Sequence, residues 1–353
     1  MLQAKYIKHE LRFNEAGGTS RGVLYAKTSW FIQITDSEGA TGVGECSIIP
    51  GLSYDNPETL ELKIREACQS INEIKDHFHN TYSEYPALRF ALEMAFRGLQ
   101  QKDQYILFPS SFTKGEQSIC INGLIWMGRA EEMLKRIDDK LSKGFSCLKL
   151  KVGAIEFNQE LELLKHIRQR YSVSDLELRV DANGAFTPGD ALKKIDELSA
   201  YQLHSIEQPI YAGQMEEMKS LCSRTSIPIA LDEELIGVHQ LPDKKKMLEF
   251  IKPQYIILKP GLIGGFRASD EWIDVAKSLN INWWATSALE SNVGLNAIAQ
   301  WSFTKQNKLR QGLGTGQVFK NNIDSPLHLV GENLFYDSGK QWGNPFINIP
   351  TNA

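Results

Sequence analysis

Between Cys147 and Pro260 the chain repeats one pattern five times: a short apolar run that ends in a charged residue, followed by a stretch with helical periodicity. The apolar runs are CLKLKVG, ELRVDANG, HSIEQP, PIALDEE and YIILKP, and their terminal charges are Lys151, Asp181, Glu207, Asp232 and Lys259. Successive charges lie 30, 26, 25 and 27 residues apart. Because a strand, a loop and a helix together need a segment of that length, the pattern predicts serial βα units with parallel strands.

Segments on both sides extend this repeat. Residues 118–126 (SICINGLIW) predict the first strand, residues 281–287 (INWWATS) the seventh, and the segment near 309–314 a last, short strand. Helical patterns lie between them, so that eight strands and seven intervening helices are predicted. The predicted fold class is α/β, a (β/α)7β barrel of the TIM type over residues 117–320.

The N-terminal third has a different pattern. Strand-like alternation in YIKHELRF and SWFIQITD is followed from Pro57 by two amphipathic helices, the second over residues 86–102. We interpret the glycine-containing segments 14–22 and 42–53 as loops. These features predict an α+β capping domain over residues 1–116. The tail, residues 321–353, is predicted to return to this domain.

Composition narrows the functional classes. A net charge of −4 and a pI near 6.0 argue against nucleic acid or a membrane as a partner. The five cysteines are scattered singly, and MLQAKYIKHE has no apolar leader segment, so we expect reduced thiols and a cytoplasmic location. The lysines at 244–246 are interpreted as a solvent-exposed face. The sequence does not indicate an oligomeric state.

Three of the terminal charges are carboxylates on consecutive predicted strands. Ligands bind at the C-terminal ends of such strands, and neighbouring strands lie about 4.8 Å apart, so Asp181, Glu207 and Asp232 should converge. A single acid at such a position more often caps the following helix, but three in register favour a metal site. Oxygen ligands without histidine or cysteine suit Mg²⁺ or Mn²⁺ rather than zinc. Spacing alone does not choose among the consecutive acids Asp232, Glu233 and Glu234.

Three lysines flank this predicted metal site. Lys149 and Lys151 are two residues apart on one strand and therefore point to the same side. We expect Lys151, nearer the strand end, to reach the substrate, with Lys149 behind it as a like charge that makes it a usable base near neutral pH. Lys259 ends an apolar strand and would face Lys151 across the metal. The alternative interpretation places these lysines on the barrel exterior.

Other polar residues near the strand ends are weaker candidates. Asn183 shares a face with Asp181, and either assists the metal-bound acid or the substrate or serves only as a turn residue. After the seventh strand, TSALESNVG offers Ser287, Glu290 and Ser291 as substrate contacts. A helix N-cap role for Ser291 is an equal alternative.

Taken together, these motifs resemble those of the enolase superfamily, in its muconate-lactonizing subgroup. The motifs are KxK at 149–151, DAN at 181–183, EQP at 207–209, DE at 232–233 and KP at 259–260. The resemblance covers nearly the whole chain, including the capping domain and the tail. Within the subgroup, GTSRG (18–22), GECSIIPGLS (44–53) and TSALESNVG (286–294) are similar to the dehydratases of menaquinone biosynthesis.

The resemblance implies a lyase that removes water, with syn stereochemistry, from 2-succinyl-6-hydroxy-2,4-cyclohexadiene-1-carboxylate to give 2-succinylbenzoate. It implies that Lys151 takes the proton α to the carboxylate and then protonates the departing hydroxyl. It also implies that Lys259 stays cationic and stabilises the ene-diolate. The implied Mg²⁺ ligands, for which Mn²⁺ is an expected substitute, are Asp181, Glu207 and Asp232.

Further roles are also implied by the resemblance. The residues expected to support the site are Lys149, Asn183 and Glu233. The loops around Thr19–Arg21 and Ile49–Leu52 are expected to close over a small-molecule carboxylate substrate, with contacts from Thr19, Arg21, Ile49 and Leu52. Ala288 and Asn292 stand where family members often have serine, so the resemblance does not define the contacts to the succinyl carboxylate.

Three rival functions are weighed against this one. Dipeptide epimerases share the barrel and both lysines but have an aspartate pair, DxD, where this chain has Glu290-Ser291-Asn292. Racemisation of N-acylamino acids needs a base on each face of the α-carbon, which Lys151 and Lys259 would supply. A metal-binding scaffold without turnover is the non-enzyme alternative. It would be expected to lack a lysine or a ligand, and none is lacking.

Overall fold

The computed structural model describes residues 1–19 and 22–346, and for residues 16–19, 22 and 23 the backbone only. In the described part of the N-terminal region, three antiparallel strands precede four helices. The strands are β1 (Gln3–Thr19), β2 (Gly22–Thr35) and β3 (Thr41–Ser47), and the helices are α1 (Pro57–Gln69), α2 (Ile71–Ile74), α3 (Phe78–Thr81) and α4 (Pro86–Gln101). The strands form one sheet in chain order.

Two segments that we predicted to be loops belong to these strands. β1 continues to Thr19, with a register shift between Arg12 and Gly17, and β2 begins at Gly22, so the loop prediction for 14–22 is wrong over 14–19 and at Gly22. The loop prediction for 42–53 is wrong over residues 42–47, which belong to β3. Because α4 packs on β3 and α12 approaches it as well, β3 is buried along most of its length and lacks the polar alternation of a half-buried strand.

The glycines that suggested a loop serve helix packing instead. A Cβ atom on Gly42 would lie 1.8 Å from the carbonyl oxygen of Ala95, and one on Gly44 would lie 1.9 Å from that of Ala91. Only glycine permits so close an approach of the α4 backbone to β3. α4 also contacts helices of the barrel, so it joins the capping sheet to the barrel.

The run predicted to be the first barrel strand, 118–126, divides into two strands. β4 (Ile119–Cys120) pairs with a C-terminal strand, and only β5 (Gly123–Ile125) belongs to the parallel sheet, so the prediction of one strand is wrong. The other strands of that sheet are β6 (Cys147–Lys151), β7 (Glu177–Asp181), β8 (Ser205–Glu207), β9 (Ile229–Leu231), β10 (Tyr255–Leu258) and β11 (Asn282–Ala285). Neighbours in the chain are neighbours in the sheet, as in a singly wound barrel.

Helices connect these strands. They are α5 (Ala130–Ser142), α6 (Phe157–Arg170), α7 (Pro188–Ser199), α8 (Met215–Arg224), α9 (Leu241–Ile251), α10 (Pro260–Ile263), α11 (Gly265–Ser278) and α12 (Asn292–Thr304), with a short 3₁₀ helix at Glu233–Leu235. In the described chain the eighth strand, predicted over 309–314, is reduced to Gln311 and Gly312. They form parallel bridges to Ile121 and Thr286 and so close the sheet. The predicted α/β class, a TIM-like barrel with an α+β cap, is confirmed.

The tail contacts both halves of the molecule. Its strands β12 (Leu327–Val330) and β13 (Asn333–Tyr336) pair with each other, and β13 pairs with β4. Asn321 accepts a hydrogen bond from the Arg12 N–H at 2.8 Å, and Trp342 stacks on Tyr105 with ring centroids 4.2 Å apart. These contacts link the tail to β1 and to the segment after α4.

Lys244 corrects one expectation about the surface. Predicted to be solvent-exposed, it is fully buried, and its ammonium donates to the Ala268 carbonyl at 3.1 Å and to Glu271 at 2.8 Å. That prediction is therefore wrong for this lysine, because the packing of α11 against α9 supplies both acceptors. Among the helices in the described ranges, none has both the length and the apolar character needed to cross a membrane.

Candidate active site

The register of the parallel strands brings the predicted charges to one level. Lys151 lies beside Asp181, and Asp181 lies beside Glu207, as paired positions of β6, β7 and β8. Asp232 directly follows β9, and Lys259 directly follows β10. All five side chains therefore project from the C-terminal edge of the sheet, where ligands bind in this architecture.

These groups form a network of buried ion pairs. The Lys149 ammonium lies 2.8 Å from an Asp181 oxygen and 2.7 Å from a Glu207 oxygen, and the Lys151 ammonium lies 2.6 Å from Asp181. Lys259 pairs with Asp232. The three carboxylates are at most 2% exposed, and such burial is tolerable only because each charge faces an opposite one. We call these three lysines and three acids the barrel cluster.

The acids of the barrel cluster differ in their electrostatics. Burial opposes ionisation of Asp181, but Lys149 and Lys151 outweigh it and hold its pKa well below the usual range. Burial raises the pKa of Glu207, and the neighbouring Asp181 charge raises it further. Burial would lower the pKa of Lys259, but Asp232, Glu207 and the other nearby acids together outweigh it and the pKa is raised. Lys259 is therefore held as an ammonium, whereas crowded Glu207 would be stabilised by an additional cation.

The three acids of the barrel cluster are the candidate ligands for a metal ion. In the described ranges, no three acidic, histidine or cysteine side chains are arranged as a ready-made metal cage, because the barrel acids face lysines instead. Within the same described ranges, however, Glu207 Oε1 is buried without a hydrogen-bond partner, and all the candidate metal-ligand atoms are carboxylate oxygens. The residue types and this unpartnered oxygen fit Mg²⁺ or Mn²⁺, provided that the acids exchange lysine contacts for the metal.

The structure separates the three consecutive acids that spacing left undistinguished. Asp232 pairs with Lys259, and Glu233 accepts a hydrogen bond from the Asn183 amide at 3.0 Å. Glu234 turns away and accepts from the Gln208 amide at 3.1 Å. Gln208, which the sequence analysis did not single out, also accepts from the Asp232 N–H at 3.1 Å and so fixes the start of this acidic turn.

Asn183 unites the two roles that were alternatives at the sequence level. Its φ of 45° places it in the left-handed region typical of a turn asparagine. Its side-chain oxygen accepts from the Lys151 ammonium at 2.5 Å, and its backbone N–H donates to Asp181 at 3.0 Å. Asn183 therefore orients Lys151 and connects it to Glu233.

One pocket contains the working ends of these residues. Its polar floor includes Lys149, Lys151, Asn183, Glu233 and Lys259. Its apolar walls include Leu24 from β2, Ile49 and Leu52 from the loop after β3, Trp126 from the segment after β5, and Leu289 from the loop after β11. Ile49 and Leu52 had been predicted as substrate contacts. The other three were missed, because an isolated apolar residue carries no signal in the sequence that distinguishes a pocket wall from the core.

The predicted contacts after β11 separate into two groups. Ser287 lines the pocket, and its hydroxyl lies 2.5 Å from that of Thr315. Glu290 and Ser291 are not among the described residues that line the pocket. Glu290 accepts from the backbone N–H of Ala288 at 2.6 Å, and Ser291 is the N-cap of α12. The Ser291 hydroxyl donates to Glu45 of the capping sheet, whereas the Glu290 carboxylate is bonded within its own loop.

Two further predicted contacts cannot be placed. The Thr19 side chain and the whole of Arg21 lie outside the described residues. For Thr19 the structure shows the backbone only, paired with Gly22 at the end of the β1–β2 hairpin. Both remain predictions from sequence.

Comparison with known proteins agrees with this geometry. Residues 132–333 match the Enolase C-terminal domain-like family. An o-succinylbenzoate synthase from Desulfotalea psychrophila is 45% identical, over 94% of this chain and 98% of that protein. The crystal structure of MenC from the same organism superposes with a TM-score of 0.86 at 40% identity, covering 95% of this chain and 99% of that one.

A more distant structure shows how widely the fold is shared. A dipeptide epimerase from Enterococcus faecalis, complexed with Mg and the dipeptide L-Leu-L-Tyr, has a TM-score of 0.81 at 22% identity, covering 95% of this chain and 96% of its own. At that identity the likeness concerns the fold alone. The family match and the full-length similarity at 45% identity are decisive. The chain belongs to the enolase superfamily and, within it, to the o-succinylbenzoate synthase family.

Proposed function

We propose that this protein is a hydro-lyase, an o-succinylbenzoate synthase that dehydrates 2-succinyl-6-hydroxy-2,4-cyclohexadiene-1-carboxylate to 2-succinylbenzoate in menaquinone biosynthesis. The observation that carries the proposal is that Lys151 and Lys259 line one pocket above carboxylates from three consecutive strands. The 45% identity to a protein of that name over nearly the full length supports the choice of substrate.

We assign Mg²⁺, with Mn²⁺ as a substitute, to Asp181, Glu207 and Asp232. Support comes from the oxygen-only donor set, the unpartnered Glu207 Oε1, and the Mg in the epimerase structure of the same fold. When bound there, the cation would supply positive charge to the carboxylate whose α-proton is being removed.

Lys151 is assigned as the base. In neutral form it takes the proton α to the substrate carboxylate, and the C–H electron pair passes into an ene-diolate. The same residue then returns the proton to the departing hydroxyl on the same face, so that the C–O bond breaks and water leaves. Asn183 and Asp181, both hydrogen-bonded to Lys151, would hold its nitrogen at the strand end.

Lys259 is assigned as a fixed positive charge. Asp232 and the neighbouring carboxylates raise the pKa of Lys259 against the opposing effect of burial, and so keep the ammonium protonated. Such a preorganised charge stabilises the negative charge that develops on the substrate. The apolar wall of Leu24, Ile49 and Leu289 would exclude water from the reacting atoms.

Racemisation of N-acylamino acids is a second candidate, because Lys151 and Lys259 both line the same pocket. A panel assay of the purified protein with Mg²⁺ tests the two functions. We expect formation of the aromatic product from the cyclohexadiene substrate to exceed racemisation of N-acylamino acids. Racemisation without dehydration would reverse the ranking, and metal binding without turnover of any candidate acid would favour a scaffold.

The class of substrate and the cellular location are also part of the proposal. A small-molecule carboxylate is the expected partner of the pocket. The cytoplasmic location predicted from sequence is supported by five cysteines that are all free thiols in the structure.

A further inference from the structure

A second buried charged cluster joins the capping sheet to the loop that follows β11. Lys27, on β2, is 3% exposed, and its ammonium donates to the carbonyl oxygens of Leu289 at 2.9 Å and Ala288 at 3.3 Å. Both residues line the substrate pocket, as does Leu24 on the same strand as Lys27. Lys27 of the cap therefore binds the backbone of the pocket wall without itself lining the pocket.

Glu45, on β3, fixes the next residues of the same loop. Its carboxylate accepts hydrogen bonds from the N–H and hydroxyl of Ser291, at 2.8 and 2.6 Å, and from the Gly294 N–H at 2.9 Å. A fourth bond comes from the Ser29 hydroxyl at 2.8 Å. The first turn of α12 is thereby tied to β2 and β3.

Glu290 completes the cluster. One of its oxygens accepts from the Ala288 N–H, and the other is buried without a hydrogen-bond partner among the described residues. A Cβ atom on Gly261 would lie 2.8 Å from that second oxygen, so the carboxylate packs directly against the turn after Lys259. The charges of Glu45 and Glu290 both act on Lys27. We call Lys27, Glu45 and Glu290 the seam cluster.

The wall that the seam cluster holds has a strained backbone. Leu289 has a φ of 61°, a left-handed conformation that residues with a Cβ atom rarely adopt. Such a conformation persists where surrounding contacts impose it, and such residues occur mainly at functional sites. In this conformation the Leu289 side chain lines the pocket, and the Leu289 carbonyl oxygen accepts the hydrogen bond from Lys27.

We propose that Lys27 is a positioning residue for substrate binding: it fixes the Ala288–Leu289 wall in the shape that accepts the substrate. The inference rests on the proposed function and deepens it, because it assigns substrate selection at this wall to the capping sheet. Lys27 does not line the pocket, so its loss should weaken the binding of substrate and product without removing the base or the fixed charge.

A matched control separates positioning from general stability. Lys244 is also fully buried and also donates to a backbone carbonyl and to a carboxylate, but it lies between α9 and α11, away from the pocket. Lys27→Met and Lys244→Met each remove a buried ammonium and keep most of the side-chain volume. Both should lower the melting temperature, but only Lys27→Met should alter ligand affinity.

The test combines steady-state kinetics with Mg²⁺ and calorimetric titration of 2-succinylbenzoate. For Lys27→Met we expect KM and the product Kd to rise together by about tenfold, with kcat changed by less than about threefold, the pattern of lost uniform binding. Lys244→Met should leave both constants within about twofold of the parent. Lys27→Arg, which keeps a donor, should recover part of the lost affinity.

Other outcomes would overturn the inference. Unchanged KM and product Kd in folded Lys27→Met would do so, as would an equal loss of affinity in Lys244→Met. If Lys27→Met does not fold, Leu289→Gly provides the test, because it removes the wall side chain at a backbone angle that glycine accepts. Unaltered affinity in Leu289→Gly would then refute the inference. A parent protein that neither dehydrates the substrate nor binds the product would instead refute the proposed function, and this inference with it.

Discussion

The barrel cluster and the seam cluster both bury lysines and carboxylates, but they use them differently. In the barrel cluster lysines face carboxylates, and the side chains of Lys151 and Lys259 keep 13% and 11% of their surface exposed. In the seam cluster Lys27 donates to backbone carbonyls, and Glu45 accepts from two backbone N–H groups and two serine hydroxyls. Ionisable side chains beside a pocket can exchange protons with a ligand. Charged side chains that hydrogen-bond to backbone groups instead determine the shape of the backbone.

The largest expected effect lies in the barrel cluster. Lys151→Ala should abolish dehydration, a loss of roughly 10²–10⁴-fold or more, because no other group is assigned as base. Exchange of the substrate α-proton with solvent deuterium should stop as well. Product formation and NMR detection of the exchange measure the two effects. Near-normal dehydration by Lys151→Ala, with an inactive Lys259→Ala, would show that the base and the fixed charge are reversed.

The next largest effect concerns the metal. Asp181→Asn, Glu207→Gln and Asp232→Asn should each lower turnover and Mg²⁺ affinity by about 10²-fold or more, since even residues that only orient a ligand cost about 10–100-fold. Chelation should abolish activity, and Mg²⁺ or Mn²⁺ should restore it. Isothermal titration with Mg²⁺ measures the affinity.

Glu234→Gln is the matched control for these variants. Glu234 is adjacent to the acidic turn but binds Gln208 and a backbone N–H, so its variant should retain Mg²⁺ affinity. Full activity of the parent in excess chelator, or equal loss of Mg²⁺ affinity in Glu234→Gln, would contradict the assignment of the ligands.

The two clusters also differ in how far sequence predicts them. Lys151, Asp181 and Glu207 lie side by side because strand length and helix length repeat, and that periodicity is visible in the sequence. The partners of Lys27 are backbone carbonyls 261 and 262 residues away, and a carbonyl is common to every residue type. No local pattern could therefore indicate the seam cluster.

Tertiary contacts also account for the errors in the predicted secondary structure. Gly42 and Gly44 suggested a loop, but they are needed where the α4 backbone lies on β3. Residues 311–312 form isolated bridges rather than a strand, since they only close the gap between the two edges of the sheet. In both cases a tertiary contact determined the structure, and the local signal was ambiguous.

A smaller effect separates the roles of the two pocket lysines. Lys259→Arg keeps a positive charge beside Asp232, so it should retain more dehydration than Lys259→Ala. Racemisation of an N-acylamino acid, if the parent shows it, should fail in Lys259→Arg, because an arginine does not give up its proton. Parallel assays of both reactions in both variants measure the difference. Equal dehydration by the two variants would mean that the charge of Lys259 is not required.

The smallest effect is expected in the seam cluster, and it concerns stability rather than chemistry. Burial raises the pKa of Glu290 from 4.5 to about 7, although the Lys27 charge opposes the shift. Folding thus favours the protonated acid, so Glu290 contributes stability below pH 4.5 that is lost as the pH rises through about 7. Glu290→Gln is neutral throughout. The unfolding free energy of the parent relative to this variant should fall by at most about 3 kcal/mol over that range, at roughly 1.4 kcal/mol per pKa unit.

Urea unfolding at pH 4.5 and pH 7.5 measures this difference, and Glu45→Gln provides the control. The Glu45 carboxylate accepts four hydrogen bonds. In Glu45→Gln the side-chain NH₂ group would face N–H and O–H donors, so this variant should be less stable than the parent at both pH values. A pH-independent difference between the parent and Glu290→Gln would show that Lys27 fully compensates the buried carboxylate. The seam cluster would then be a fixed ion pair like those of the barrel cluster, and the contrast between the two clusters would be limited to their backbone contacts.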